Sequence, residues 1–550
     1  MAVCFEGILS LEVICLQHKS QPRTPSLYDD VVGASYIPQG HLLRRLRDTV
    51  DFAFVHDLLA PLYHEDNGRP AYNPEVMVRL IFLQLQYKLS DRGVVDRAQT
   101  DHAFRYFLGL DWSDQLPHPT SLTKFRERLG EAGFKALFHG ILKQALERKL
   151  VSKKRLLIDS YNVQADIAVP GFRPLLDRIL GRAITAVEDA AGLTEECEYL
   201  RAEYEGLRQD KSYQLGAEFR KLLLGEWLSL AELTAQTLEE IAPARRTPAQ
   251  CDSLELLNEA LQRAAHHGQK NIKKDNLLSD VDPDARWSAK KRGKQAMAGY
   301  KEQLAVDAES GIVTHVEVLP GNTDDSEALQ PVVAGHMASV GDKPGEVVTD
   351  SKYSSGANRA YLQREELTDH MAVPPAKGSK QGKFSASDFA VEFGEQGQPI
   401  LAVCPSGQMS EQPSWKHQTH SWVFQFKKAQ CEGCPLRDRC SKQKRGRQLS
   451  VDQHYELTEQ ARERQASDEG QAAQIARLGI ERQFSIQQRQ GGRRTRYRGL
   501  AKNRMWGWAW GLYLNVRRLA TVTVNELETT LAQTYTKAAT CLQGTTVPES

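Results

Sequence analysis

The stretch KRLLIDSYNVQADIA, residues 154–168, decides how the rest of the chain is read. Leu156, Leu157 and Ile158 form a short apolar run that closes on Asp159, and Val163, Ala165 and Ile167 follow. This pattern predicts a strand, and a carboxylate ending such a run is costly to bury unless something pairs with it. A second stretch of the same kind, EVVTDSKYS, begins at Glu346 and carries Asp350, Ser351 and Tyr353 much as the first carries Asp159, Ser160 and Tyr161. A third acid, Glu481, sits in a predicted helix that is otherwise nearly free of acids. Two strand-end aspartates and a helical glutamate can converge on Mg2+ or Mn2+, because hard dications take oxygen ligands.

Upstream, residues 28–150 read as helices. HLLRRLRDTVDFAFVHDLLAPLY has apolar residues at helical spacing. Asn73 and Pro74 open a second helix as N-cap and first helical residue, Ser90 caps a third running to Leu110, and Thr120 or Ser121 caps a fourth. Short helices with a Pro-rich turn and a basic final helix fit a helix-turn-helix or a plain bundle equally.

Downstream of the first strand, residues 171–284 form a Leu-, Ala-, Glu- and Arg-rich segment that predicts a helical insertion. A basic loop with Lys290, Lys291 and Arg292 precedes two alternating runs, EQLAVDA and IVTHVEVLP, joined by a turn at Glu309-Ser310-Gly311. Helix DSEALQPVVAGHMASV, the Asp350 strand, helix GANRAYLQREEL and strand HMAVPPA follow. The order βββαβαβ predicts a mixed α/β sheet, and a fourth strand lying beside the first makes Asp159 and Asp350 near neighbours. Residues 377–470 read as loop-rich.

The chain has 550 residues, a net charge of +1, 41% hydrophobic and 26% charged residues, an ordinary soluble composition. No apolar run reaches the roughly 18 residues of a membrane helix, and nine cysteines in this length do not make a disulfide scaffold. The expected localisation is cytoplasmic. Overall charge is uninformative, but its distribution is not: between Gln471 and Ala520 eleven basic residues accompany the single acid Glu481. That is the footprint of a polyanion, the alternative being a solvated basic helix face. Arg477, Arg489, Arg493, Arg494, Arg496, Arg498 and Lys502 are the DNA-contact candidates here, with Lys290, Lys291 and Arg292 in the earlier loop. Arg477 lies one helical turn before Glu481, placed to orient the carboxylate or hold a phosphate. Trp506, Trp508, Trp510 and Tyr513 read as a buried aromatic helix. Cys404, Cys431, Cys434 and Cys440 supply four thiols, two of them spaced as CEGC, which fits a closed structural Zn2+ site.

Taken in order, these pieces resemble an insertion-sequence DDE transposase. PHPTSLTKFRERL resembles the helical N-terminal domain of InsH-like transposases, and LIDSYNVQADIA and VVTDSKYSS resemble the strands of the first and second Asp. CPSGQ with CEGCPLRDRC resembles the family's cysteine cluster, and IERQFSIQQRQGGRRTRYRGLAKNR, closing on LNVRRL, resembles its Glu helix. The family's Tyr-Arg-Glu-Lys signature is met at Arg477 and Glu481, with Gln474 and Gln488 at the outer places and Arg489 beside the last. The resemblance implies an RNase H-like catalytic core with Asp159, Asp350 and Glu481 as metal-binding catalytic triad. It also implies binding to terminal inverted repeats and strand transfer into target double-stranded DNA, by a homodimer on paired ends. A catalytically decayed DNA-binding protein and an RNase H-like nuclease without strand transfer are the alternatives.

The expected organisation is a disordered or mis-annotated start (1–27) and a helical DNA-binding domain (28–150). A catalytic core follows in three pieces (151–170, 285–376 and 471–522), interrupted by the helical insertion and by the cysteine-bearing segment. Residues 523–550 are a tail.

Overall fold

The structure, a computed structural model, describes residues 27–63, 71–189, 194–209, 216–265, 275–288, 296–374, 382–395, 397–441 and 443–522. The expected start, the tail and the loop with Lys290, Lys291 and Arg292 therefore lie outside the described residues, apart from residue 27.

The front end forms α1 (Leu27–Ser35), α2 (Leu42–Thr49), α3 (Phe54–Leu59), α4 (Pro74–Tyr87), α5 (Asp91–Thr100), α6 (His102–Leu108) and α7 (Pro119–Glu147). Asn73 and Ser90 cap α4 and α5 as their types predict, accepting from the N–H of Glu75 and Gly93. The helix expected from Ser90 to Leu110 is instead two. Asp101 has extended backbone, and its carboxylate accepts from the N–H groups of Ala103 and Phe104, so it ends α5 and starts α6. The α7 cap is His118, with Pro119 as first helical residue, rather than Thr120 or Ser121.

β1 (Arg155–Gln164) leads into the insertion, α8 (Phe172–Glu188), α9 (Thr194–Gln209), α10 (Ala217–Glu240) and α11 (Pro248–Ala265), which buries its own core around Leu176, Ile179, Trp227 and Leu257. The sheet resumes with β2 (Arg286–Trp287), β3 (Ala298–Asp307) and β4 (Val313–Pro320). After α12 (Asp325–Val340) come β5 (Glu346–Thr349), α13 (Gly356–Arg364) and β6 (Thr368–Met371). β4, β3 and β1 pair antiparallel, β1, β5 and β6 pair parallel, and the short β2 adds to β3. β1 separates two cores by its period of two. Leu156 and Ile158 pack with α12 and α13 residues, while Leu157 joins the core on the other face.

The segment read as loop-rich contains two small three-stranded sheets, β7 (Ala390–Phe393), β8 (Pro399–Val403) and β9 (Met409–Glu411), then β10 (Ser414–Lys416), β11 (Ser421–Gln425) and β12 (Gln448–Asp452). Short strands with charged exposed faces escape a periodicity search. Two single-turn helices, α14 (Lys428–Cys431) and α15 (Arg437–Cys440), lie between β11 and β12. The chain then returns to the sheet through α16 (Tyr455–Ala466), α17 (Asp468–Arg489) and α18 (Leu500–Leu519).

The aromatic helix α18 is buried between β4 and α7. Gly507 and Gly511, one turn apart, permit the approach: a Cβ there would lie 2.5 Å from Val318 and 2.7 Å from Val316. Phe138 of α7 meets Trp508, and Phe82 of α4 meets Tyr513, so the front helices share one core with the sheet. Asn515, fully buried, accepts from the Val313 N–H at 2.8 Å and donates to the Val313 carbonyl at 2.7 Å. Replacing it by Ala orphans both backbone groups in the interior, so Asn515→Ala should lower unfolding free energy by about 3 kcal/mol. Urea unfolding measures this, and an unchanged midpoint would show that α18 does not depend on that clamp.

Candidate active site

The parallel register of β1 and β5 pairs Leu157 with Val348, so Asp159 and Asp350, each two residues further on, come level on adjacent strands. Asp350 lies just past the end of β5, as expected, and accepts from the Lys352 N–H at 2.9 Å. Asp159 differs: β1 continues to Gln164, which places it in mid-strand. Its Oδ1 accepts from the Ser160 N–H at 2.7 Å and its Oδ2 from Arg477 Nη1 at 2.9 Å. Burial pushes the Asp159 carboxyl up to about 6; the Ser160 N–H and Arg477 act against this, and the charges of Asp350 and Asp325 add to it.

α17 lies over the same face of β1. Gly479 faces Leu157, and Phe484 stacks on Tyr161 with ring centroids 5.2 Å apart and an interplanar angle of 11°. Glu481 falls on the Arg477–Phe484 stripe, one turn from Arg477, and is exposed. Among the described residues, the three expected acids are not gathered within 4.8 Å of one another. The Arg477 guanidinium is what meets Asp159, rather than forming a surface pair with Glu481. Gln474, in the place of the signature Tyr, donates to the His370 carbonyl at 2.6 Å, and Gln488 and Arg489 are exposed on the last turn.

Sequence reasoning missed a charged network on the opposite face. Asp325, the first residue of α12, is buried with Lys301 Nζ at 3.0 Å and Lys352 Nζ at 3.4 Å. Burial alone would raise its proton affinity, but the lysines, Lys301 foremost, hold it below the usual carboxylate range. Gln303 donates to Asp325 at 3.2 Å and accepts from the buried Tyr353 hydroxyl, tying the network to the segment after Asp350. The available signal was KEQ inside a strand buried along its whole length. Glu302 of that triplet faces α17, where burial pushes it up to about 7 against a 2.8 Å hydrogen bond from Gln487.

The basic run is docked on the end of β1. The Gln164 N–H donates to the Arg493 carbonyl, and the Thr495 N–H donates to the Gln164 carbonyl, each at 2.9 Å. Arg493, Arg494, Arg498 and Lys502 are exposed. Arg496 is engaged, 3.9 Å from Asp91 and over the Trp506 ring. Cys404, Cys431, Cys434 and Cys440 line one cavity. Burial raises the Cys440 thiol; Arg447 opposes this and the other three sulfurs add to it.

A mixed sheet ordered β4-β3-β1-β5-β6, with helices on both faces and an Asp on each central strand or just beyond it, has the RNase H-like architecture. Residues 32–128 match a transposase domain family (DUF772), and residues 403–520 match a transposase DDE domain family. The first match covers the front helices and the second the cysteine segment with α17 and α18, and together they support an insertion-sequence DDE transposase. No curated protein and no solved structure matches the chain. The family implies a DNA substrate and a divalent metal. No helix among the described residues is long and apolar enough to cross a membrane.

Because Asp159 titrates higher in the folded than in the unfolded chain, stability is lost as pH rises between 3.8 and about 6. Asp159→Asn removes that loss. In chelator, the variant should match wild type near pH 4 and exceed it above pH 6, by at most about 3 kcal/mol at 1.4 kcal/mol per pH unit. Equal stability of the two proteins across the range would show that the carboxylate is not held under tension.

Proposed function

We propose that this chain binds the terminal inverted repeats of an insertion sequence, cleaves DNA strands there and joins them to a target. The observation that carries this reading is the level placement of Asp159 and Asp350 on paired parallel strands under the Glu481 helix. The donor set fits Mg2+ or Mn2+: all three ligands are carboxylates, and the raised proton affinity of Asp159 marks a place where positive charge is missing despite Arg477. When bound, such ions activate water or a 3′-hydroxyl and stabilise the leaving oxygen.

The chain's own residues position the DNA. Arg477 holds the Asp159 carboxylate and can exchange it for a phosphate of the incoming strand. Arg493, Arg494, Arg498 and Lys502 run from the end of β1 and supply phosphate contacts, which set affinity and register without reading sequence. The front helices are the candidate repeat readers, and joining two ends calls for a dimer. The four cysteines fit a closed Zn2+ site that would hold the cavity between β8 and α15 together. The rival reading, a binding protein with a decayed centre, draws on the Arg477–Asp159 pair and the open spacing of the acids.

On a labelled element end with Mg2+ or Mn2+, Asp159→Asn, Asp350→Asn and Glu481→Gln should each reduce cleavage below detection while leaving end binding intact. Near-wild-type cleavage by one of them removes that residue from the triad, and a wild type that binds but never cuts favours the rival. For the basic run, Arg493→Ala with Arg494→Ala should weaken binding to end and scrambled duplexes alike and flatten the salt dependence by about two units of slope. Loss confined to the end sequence would make these arginines base readers instead.

A further inference from the structure

One side-chain cluster lies outside the acids assigned above. Glu346 opens β5, His370 lies on the neighbouring β6, and Glu469 is the second residue of α17. Each offers a ligand atom, and these atoms all lie within 4.8 Å of one another. The His370 side chain is 1% exposed, its Nε2 has no hydrogen-bond partner, and Glu346 Oε2 is 3.6 Å away. A buried imidazole nitrogen left unpaired is costly, so it points to something that binds there. Glu469 is exposed and opens the cluster to solvent. Arg155 donates to the same Glu346 Oε2, so that oxygen is shared with a guanidinium, and Glu346 has Oε1 besides.

We propose that Glu346, His370 and Glu469 bind a transition-metal dication that pins the start of α17 to β5 and β6. One imidazole nitrogen with two carboxylate oxygens suits Mn2+ or Zn2+ rather than the all-oxygen shells of Mg2+ or Ca2+. The site is separate from the aspartates. Glu346 precedes Asp350 by four residues, which at about 3.3 Å per residue puts it roughly 13 Å away. Its ligands span the strand that leads to Asp350 and the helix that carries Arg477 and Glu481. The Gln474 bond to the His370 carbonyl docks the same helix one turn further on. The ion therefore acts as a clip that holds the register of α17 on the sheet.

Mn2+ binding to the full chain, followed by the loss of the free-ion EPR signal, tests this. Mn2+ is a poor partner for thiolates, so it avoids the cysteine cavity. With Asp159→Asn and Asp350→Asn as background, one Mn2+ should bind per chain and raise the thermal midpoint. Adding His370→Gln or the exposed Glu469→Gln should abolish both effects. The Glu469 variant decides the matter should the buried His370 substitution fail to fold. Failure of the catalytic reading would show as unchanged Mn2+ uptake on adding the background substitutions, with the His370-dependent ion still present. Mn2+ uptake that ignores both His370→Gln and Glu469→Gln, or no uptake in the background, overturns the site.

Discussion

Parallel pairing of β1 with β5 is the contact on which the candidate site depends. It joins strands that are far apart in sequence and brings two carboxylates level on one sheet face. Burial makes the Asp159 carboxyl resist ionisation, and the charge of Asp350 beside it adds to that resistance. The protein offsets this only in part. Arg477 meets Asp159 on one face, and on the other Lys301 and Lys352 pair with Asp325, whose charge adds to the repulsion on Asp159.

α17 carries the consequences of that arrangement along the sheet. Its N-terminal turn reaches Glu346 and His370, its middle reaches Asp159 and Tyr161, and its C-terminal part reaches Glu302 through Gln487. Polar residues on a buried helix face are expensive unless each finds a partner. Several atoms have none here, among them Arg477 Nε and Gln487 Oε1 on the helix and His370 Nε2 and Glu302 Oε1 around it, and they mark where the interior is electrostatically unfinished. α18 plays the complementary, apolar part. Its two glycines let it close on β4, and its aromatic residues then reach α4 and α7 on the far side. The front helices are thereby packed, through α18, against the sheet that carries the candidate aspartates.

Much was legible in the sequence because it is local. Apolar runs ending in Asp159 and Asp350, hairpin spacing between β3 and β4, and the caps at Asn73 and Ser90 are encoded in neighbouring residues. The βββαβαβ order, the helical character of the insertion and the single acid among the bases of residues 471–520 follow from pattern and composition alone. Local patterning also failed in understandable ways. Asp101 ends one helix and caps the next, which periodicity does not distinguish from a single helix, and the short strands of residues 390–452 carry too few residues to reveal a period.

Tertiary structure alone decided which charges meet. Arg477 finds Asp159 across 318 positions, and Lys301 and Lys352 converge on Asp325 although each, read singly, is an unremarkable surface residue type. Gln164 receives the basic run through two backbone hydrogen bonds that no side-chain pattern announces. His370 shares a cluster with Glu346 and Glu469 only because β6 lies beside β5 and α17 begins above both. The chain by itself determined its strands, its helices and the acids and bases they carry. Strand register and helix docking determined the distances between them, because those follow from the packing of residues hundreds of positions apart.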